Sequence, residues 1–271
     1  MNSDQHVFEA WADMTNQTKR DYKIQRTELF GGDVQLQQAR SFDPCRTFGR
    51  KCCMAMAECC SCDSAPQIQA EGELAGIYWY SIDQPFVLIQ QSTFSLPFVE
   101  PKIQLEKYFG LQTFFQEQTH KGKFQRKYRL ESDRFLPKGN VTVREDGRVV
   151  GQAYLTDLSA GDKQDLDCGN DPDVSFRREV KIVTQKRDSA SYRIRLTIKN
   201  GKKKSIRYEY KELISSVKFT VEAQSESDDL NKHIQSTSEG IQIHRDDLAA
   251  NDEHVFQYEL VLQYRNPNDQ S

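Results

Sequence analysis

From Ile77 to Tyr264 the chain is made of short runs, some wholly apolar and some with apolar side chains at every second position, broken by Pro, Gly or polar residues. Alternation of this kind gives a strand one buried and one wet face. Within 192–199, Tyr192, Ile194, Leu196 and Ile198 share a face, and Arg193, Arg195, Thr197 and Lys199 take the other. Ile206, Tyr208 and Tyr210 repeat the pattern against Arg207 and Glu209, as do Val217, Phe219 and Val221 against Lys218 and Thr220. A last strand sets Phe256, Tyr258, Leu260, Leu262 and Tyr264 on one side. Shorter runs at 77–82, 86–91, 94–100, 102–109, 111–118 and 127–130 read as further strands.

Turn chemistry fits this reading. Asp146-Gly147 predicts a tight turn between two strands, because positive φ is cheap for Gly and tolerable for Asp. Asn200-Gly201 predicts a second hairpin, with the lysines after it solvating the turn and protecting a sheet edge. The stretch 157–162 echoes 247–252, with Gly161 and Asn251 at the same place; both residue types accept left-handed backbone geometry. Asp165 to Asp173 reads as an acidic loop between strands.

The first 76 residues are less regular. His6 to Met14 predicts a short helix, and 22–37 holds strand-like pieces around Gly31-Gly32. Residues 45–76 show neither helical nor strand periodicity and read as a weakly ordered connector rich in Cys, Ala and Met. The sequence thus predicts an all-β protein, an antiparallel β-sandwich of immunoglobulin-like character. Its parts are an N-terminal strand region (1–44), the connector (45–76), a first β unit (77–168) and a sandwich unit (169–271).

The stretch from Leu136 to Val174 carries a family resemblance. Leu136, Pro137, Gly139, Val141, Val143, Asp146, Gly147 and Gly151, then Leu158, Gly161 and Asp162, then Gly169, Asp171 and Val174 resemble a segment of the mucoidy-inhibitor-A-like proteins. The segment lies in the C-terminal β domain of that family, whose function is unknown and whose members include bacterial proteins and eukaryotic relatives. The similarity extends through the later strands to about Tyr264, and upstream residues 32–44 resemble the strand leading into a variable connector. The resemblance implies a β domain and brings no catalytic residues. Two departures stand out: the family's additional N-terminal β domain and its coiled coil have no counterpart here, and the connector is loaded with cysteines.

Composition narrows the function classes. Of 271 residues, 37% are hydrophobic and 28% charged, polar for a globular chain but not disordered in character. With 15 Phe and 11 Tyr, aromatic rings must supply much of the core. A net charge of −3 gives no global drive toward nucleic acid or anionic lipid. No apolar run is long enough to cross a bilayer, and the N-terminus lacks the basic start and apolar stretch of a secretory signal. The expectation is a cytoplasmic protein, with a fragment or a processed form as the alternative. The glycosylation sequons at Asn16 and Asn140 matter only in a secretory compartment.

Candidate chemistry is sparse. Cys52, Cys53, Cys59, Cys60 and Cys62, with Cys45 nearby, offer thiolates for zinc, but their spacing is not a pair of CxxC knuckles and no His lies among them. Acylation of adjacent cysteines as a lipid anchor, free or redox-active thiols, and disulfides in an exported form are the competing readings. Cys168 stands apart and reads as a small buried or half-buried residue. Asp165, Asp167, Asp171 and Asp173 supply oxygens for calcium, yet Gly169 sits where an EF-hand needs a ligand and the terminal Glu is missing. Solvation of a loop, with Asn170 and Asp171 satisfying backbone amides, is the plainer account.

Two basic runs, Lys121 to Arg129 and Lys199 to Arg207, suggest nucleic acid only loosely; the first is interleaved with aromatics and the second sits on the expected hairpin. Hydrolase and P-loop motifs are absent from the sequence. Of the scattered histidines His6, His120, His233, His244 and His254, the last two are candidates to meet on neighbouring strands. The sequence therefore predicts a non-enzymatic interaction or structural module, with no cofactor and no nucleic-acid ligand. Such a module would bind a protein partner or self-associate through a strand edge. A hydrolase, a thiol-redox protein using the cysteines, or a metal-binding module is the alternative.

Overall fold

The computed structural model describes residues 7–32, 66–74, 76–215, 218–223 and 233–264. Among the described residues all regular structure is β, with no α-helix. The chain divides into two compact units. Unit 1 takes Met1–Gln104, Glu131–Gly139 and Leu155–Lys163, and unit 2 takes Leu105–Leu130, Asn140–Tyr154 and Gln164–Ser271.

In unit 1, seven strands make three small sheets: β1 (Trp11–Asn16), β2 (Tyr22–Ile24), β3 (Thr27–Gly31), β4 (Gln69–Leu74), β5 (Ile77–Ile82), β6 (Phe86–Leu88) and β7 (Ser92–Pro97). The helix expected over His6 to Met14 is not there. Instead β1 pairs antiparallel with β7, from Trp11 opposite Pro97 to Asn16 opposite Ser92. A nine-residue helix is marginal on its own, whereas the ladder with β7 satisfies the same backbone groups and turns Ala12, Met14 and Asn16 inward. In the same unit Leu136 and Leu158, both buried, exchange backbone hydrogen bonds at 2.9 Å.

Five strands follow in the middle of the chain: β8 (Ile103–Phe114), β9 (His120–Ser132), β10 (Gly139–Glu145), β11 (Arg148–Leu155) and β12 (Lys163–Gln185). β10 and β11 pair across Asp146 (φ 47°) and Gly147 (φ 74°), the two positive φ values of a type I′ turn, as the sequence predicts. The acidic segment expected to be a loop lies inside β12 instead. Gly169, at φ 84°, breaks the in–out alternation there: Leu166 and Cys168 are buried before it, Asp171 and Val174 after it. Side chains stand in for ladder partners at this irregularity. Asp167 Oδ1 accepts from the Gly169 amide (2.8 Å), and Asp171 Oδ1 accepts from the Asp173 amide (2.9 Å) and the Val174 amide (3.3 Å).

The last six strands are β13 (Ser189–Asn200), β14 (Ile206–Leu213), β15 (Lys218–Ala223), β16 (Ile234–Ser236), β17 (Gly240–Leu248) and β18 (Glu253–Gln263). Unit 2 carries the nine-stranded sheet in the order β15-β18-β13-β12-β9-β8-β14-β17-β16. Its pairing is mixed, because β14 runs parallel to β8. A parallel pair needs a long crossover between its strands, and β9 to β13 supply it.

The hairpin expected at Asn200-Gly201 is also absent: β13 pairs with β12 and β18, and β14 with β8 and β17. Asn200, fully buried, turns its side chain inward and binds the connection to β14, with Nδ2 donating to the Lys204 carbonyl (2.9 Å) and Oδ1 accepting from the Lys202 amide (2.9 Å).

The alternating faces of β13, β14 and β18 are buried as the sequence predicts. Tyr192, Ile194, Leu196 and Ile198 meet Tyr208, Tyr210, Ile241, Ile243, Phe256, Tyr258 and Leu260 in one core, each fully buried. Strands far apart in the sheet order thus share an interior, so the sheet curls around it. Arg178 of β12 reaches Glu212 of β14 across that interior at 2.7 Å, and Tyr258 of β18 donates to Glu212 at 3.0 Å.

Candidate functional site

The face of unit 2 opposite this core gathers a charged cluster. Strand alternation sends Tyr208 and Tyr210 into the core and Arg207 and Glu209 to the other side. There Arg129 of β9 makes a bidentate contact with Glu209, Nη1 to Oε1 and Nη2 to Oε2, both at 2.9 Å. Its Nε donates to Asp165 Oδ1 at 2.8 Å, and the Tyr108 hydroxyl donates to Asp165 Oδ2 at 2.6 Å. Burial works against ionisation of Asp165 and Glu209, but the guanidinium of Arg129 outweighs it and holds both carboxyls below their ordinary range. Burial, reinforced by Asp165, pushes the Tyr108 phenol well up. The two basic runs converge here, since Arg207 also reaches Glu209 (3.0 Å).

This arrangement is closed. His244 of β17 points Nδ1 at Glu209 (3.2 Å) and Nε2 at Asp246 (3.1 Å). Both imidazole nitrogens thus lie within hydrogen-bonding distance of carboxylates of the chain. The expected meeting of His244 and His254 does not occur, because β17 and β18 are not neighbours in the sheet. His254 lies 2.9 Å from the Tyr208 hydroxyl through Nδ1, and burial lowers its pKa.

The four aspartates considered for calcium have separate occupations. Asp165 holds Arg129 and Tyr108; Asp167 holds the Gly169 amide. Asp171 and Asp173 face the ammonium of Lys202 at 2.8 and 3.5 Å. Burial opposes the Asp171 charge, but Lys202 and the backbone amides hold its carboxyl low. Among the described residues, no three His, Cys, Asp or Glu side chains are grouped to hold a metal ion. The zinc candidates Cys52, Cys53, Cys59, Cys60 and Cys62 lie outside the described residues. Cys168 is buried and free, as expected, and burial raises its thiol pKa. No described helix is long and apolar enough to cross a membrane.

A second feature lies where the nine-stranded sheet ends. β15 and β16 are its terminal strands, each hydrogen-bonded on one side within the sheet, β15 to β18 and β16 to β17. They line a common groove of about 350 Å³, with Lys218, Phe219 and Thr220 on one wall and Ser236, Thr237 and Ser238 on the other. Along β15 the exposed residues are Lys218, Thr220 and Glu222, while Phe219 and Val221 pack on the core. The order Lys-Phe-Thr-Val-Glu is self-complementary about Thr220: in an antiparallel pair of such strands Lys218 faces Glu222 and Phe219 faces Val221. The sequence pattern contains this signal, but only the sheet order marks the strand as an edge.

No protein-family model matches this chain, and no curated protein or solved structure does either.

Proposed function

We propose that the protein is a non-catalytic, immunoglobulin-like sandwich module of the cytoplasm, related to the mucoidy-inhibitor-A-like proteins, that associates with a second copy of itself through β15. The family reading is supported by the motif residues Asp146, Gly147, Gly161 and Gly169, all of which take positive φ in turns and a strand irregularity. The non-catalytic reading is supported by the cluster around Arg129, in which the carboxylates of Asp165 and Glu209 are engaged with the guanidinium groups of Arg129 and Arg207.

The observation that carries the pairing is the position and sequence of β15. Among the described residues it is a terminal strand that pairs within the sheet with β18 alone, and a terminal strand is the usual template for adding a strand. Its Lys218-to-Glu222 pattern places opposite charges and apolar side chains face to face around a two-fold axis, as an isologous interface requires. Five residues give a small interface, so the affinity is modest, about 10–100 µM. Sedimentation equilibrium of the full chain tests this: a monomer–dimer equilibrium is expected in that range, and a strict monomer at about 1 mM overturns it.

A further inference from the structure

The sequence leaves Lys121 to Arg129 and Lys199 to Arg207 as solvated basic runs, and for the second that account rests on a hairpin the structure does not contain. The strands bring the beginnings of both runs together. Lys121 and Lys123 on β9, Arg177 on β12 and Lys199 on β13 line one concavity of about 530 Å³ on unit 2. The register explains the assembly: Ser175 lies opposite Lys199, Lys199 opposite Glu253, and Arg177 opposite Thr197. Four cations thus stand around two hydroxyls, with Glu253 the one carboxylate in the lining.

Charge balance sets this place apart from the rest of the unit. Arg129, Arg207, Lys202 and the buried Arg178 each face a carboxylate of the chain. Farther along the same face the charges are mixed, with Glu179 opposite Arg195 and Glu259 opposite Arg193. At the concavity, Lys121 and Lys199 have no carboxylate partner among the described residues, and Lys123 donates to the Pro172 carbonyl. Arg177 has an exposed pair with Glu179 at 2.7 Å, an arrangement of little net worth that a stronger anion displaces.

We infer that this concavity binds a compact, multiply phosphorylated small molecule. Lys199 and Arg177 stand diagonally across adjacent strands, about 7–8 Å apart at the backbone, a gap their long side chains span toward one ligand carrying several phosphoryl groups, and Ser175 and Thr197 supply hydroxyl donors between them. Size favours a small ligand over a polymer, since the volume falls in the range of small-molecule sites. The one aromatic residue in the lining, Phe176, is buried, so the exposed stacking platform of a single-strand nucleic-acid site is missing.

Inorganic tripolyphosphate is the probe, titrated calorimetrically into the full chain at two salt concentrations. Saturable one-to-one binding is expected, weakening as salt rises. The double variant Lys121→Ala/Lys199→Ala should bind at least about tenfold more weakly, while Lys203→Ala, on the connection after β13, should bind as the parent does. Lys121→Arg/Lys199→Arg should keep the affinity and so exclude misfolding as the cause of the loss. No saturable binding, equal binding by the double variant, or equally tight binding of sulfate would each overturn the inference. So would binding of a duplex oligonucleotide that outcompetes tripolyphosphate. Self-association through β15 is read separately by sedimentation, and neither result depends on the other.

Discussion

Asn16 in unit 1 and Asn200 in unit 2 hold the same set of backbone groups. Asn16 Nδ2 donates to the carbonyls of Arg20 (2.8 Å), Leu88 (3.1 Å) and Ile89 (3.0 Å), and its Oδ1 accepts from the Thr18 amide (2.9 Å). Asn200 Nδ2 donates to Lys204 (2.9 Å), Leu248 (3.2 Å) and Ala249 (2.8 Å), and its Oδ1 accepts from the Lys202 amide (2.9 Å). The surroundings match as well. Tyr22 pairs with Leu88 as Ile206 pairs with Leu248. Gln91 (φ 51°) donates to Thr18 as Asn251 (φ 57°) donates to Lys202. The two units repeat one corner: a strand ending in Asn, a short connection, and a left-handed residue opening the strand that pairs with the first.

Removing either side chain leaves several buried carbonyls and an amide unpaired. Asn200→Ala should therefore cost about 2–4 kcal/mol. Asn200→Asp should cost at least as much, since it sets a carboxylate against three carbonyl oxygens. Urea unfolding followed by near-ultraviolet circular dichroism of the tyrosines, several of which lie in the unit 2 core, reads both; a loss below about 0.5 kcal/mol would remove the corner from the account.

The Arg178–Glu212 pair is buried on both sides. Burial raises the Glu212 pKa against the pull of Arg178 and of the Tyr258 hydrogen bond, so a charge there depends on those partners. Arg178→Met by itself should destabilise by about 3–5 kcal/mol, because it strands the carboxyl. The double change Arg178→Met/Glu212→Leu should recover most of that loss. If the double variant is as unstable as the single ones, the pair contributes packing rather than charge balance.

Gly151 leaves room for Cys168. A Cβ at 151 would lie 2.3 Å from the Cys168 Cβ and 2.8 Å from its Cα, so something must move. Gly151→Ala should cost about 3 kcal/mol, and adding Cys168→Ala should not rescue it because the Cβ remains. Thermal unfolding of the two variants checks both statements.

Burial lowers the His254 pKa below its ordinary 6.5. The unfolded chain then takes up a proton first as pH falls, so stability present above about 6.5 is lost as pH drops through the lowered pKa. The carboxyls of Asp165, Asp171 and Glu209, held low by their partners, lose stability only in more acid solution. Between pH 7.5 and about 5 the unfolding midpoint of the parent should decline, and that of His254→Gln should decline less. Identical slopes would contradict the assignment.

What the sequence discloses and what it hides follow from the range of each interaction. The buried faces of β13, β14 and β18 are legible because burial repeats every second residue. The left-handed residues Asp146, Gly147, Gly161 and Asn251 are legible because a turn restricts its residues locally. β1 is not, because its partner β7 comes some eighty residues later and a short polar segment has no pattern of its own. Asn200-Gly201 misleads, since the Asn that signals a hairpin is spent on carbonyls of the β17 end. Arg178 falls on the buried face of β12 and looks like a surface residue until Glu212 is seen across the core. The cluster around Arg129 assembles from β8, β9, β12, β14 and β17, so only the sheet order reveals it.

Pairing through β15 is the central claim, and a charge-swap experiment addresses it most directly. Lys218→Glu places Glu opposite Glu222 in a homodimer, and Glu222→Lys places Lys opposite Lys218, so each variant alone should sediment as a monomer. In an equimolar mixture every facing pair is opposite in sign, and a heterodimer should form with about the parent's affinity. Dimerisation of both single variants as tightly as the parent, or a mixture that stays monomeric while the parent dimerises, would contradict the account.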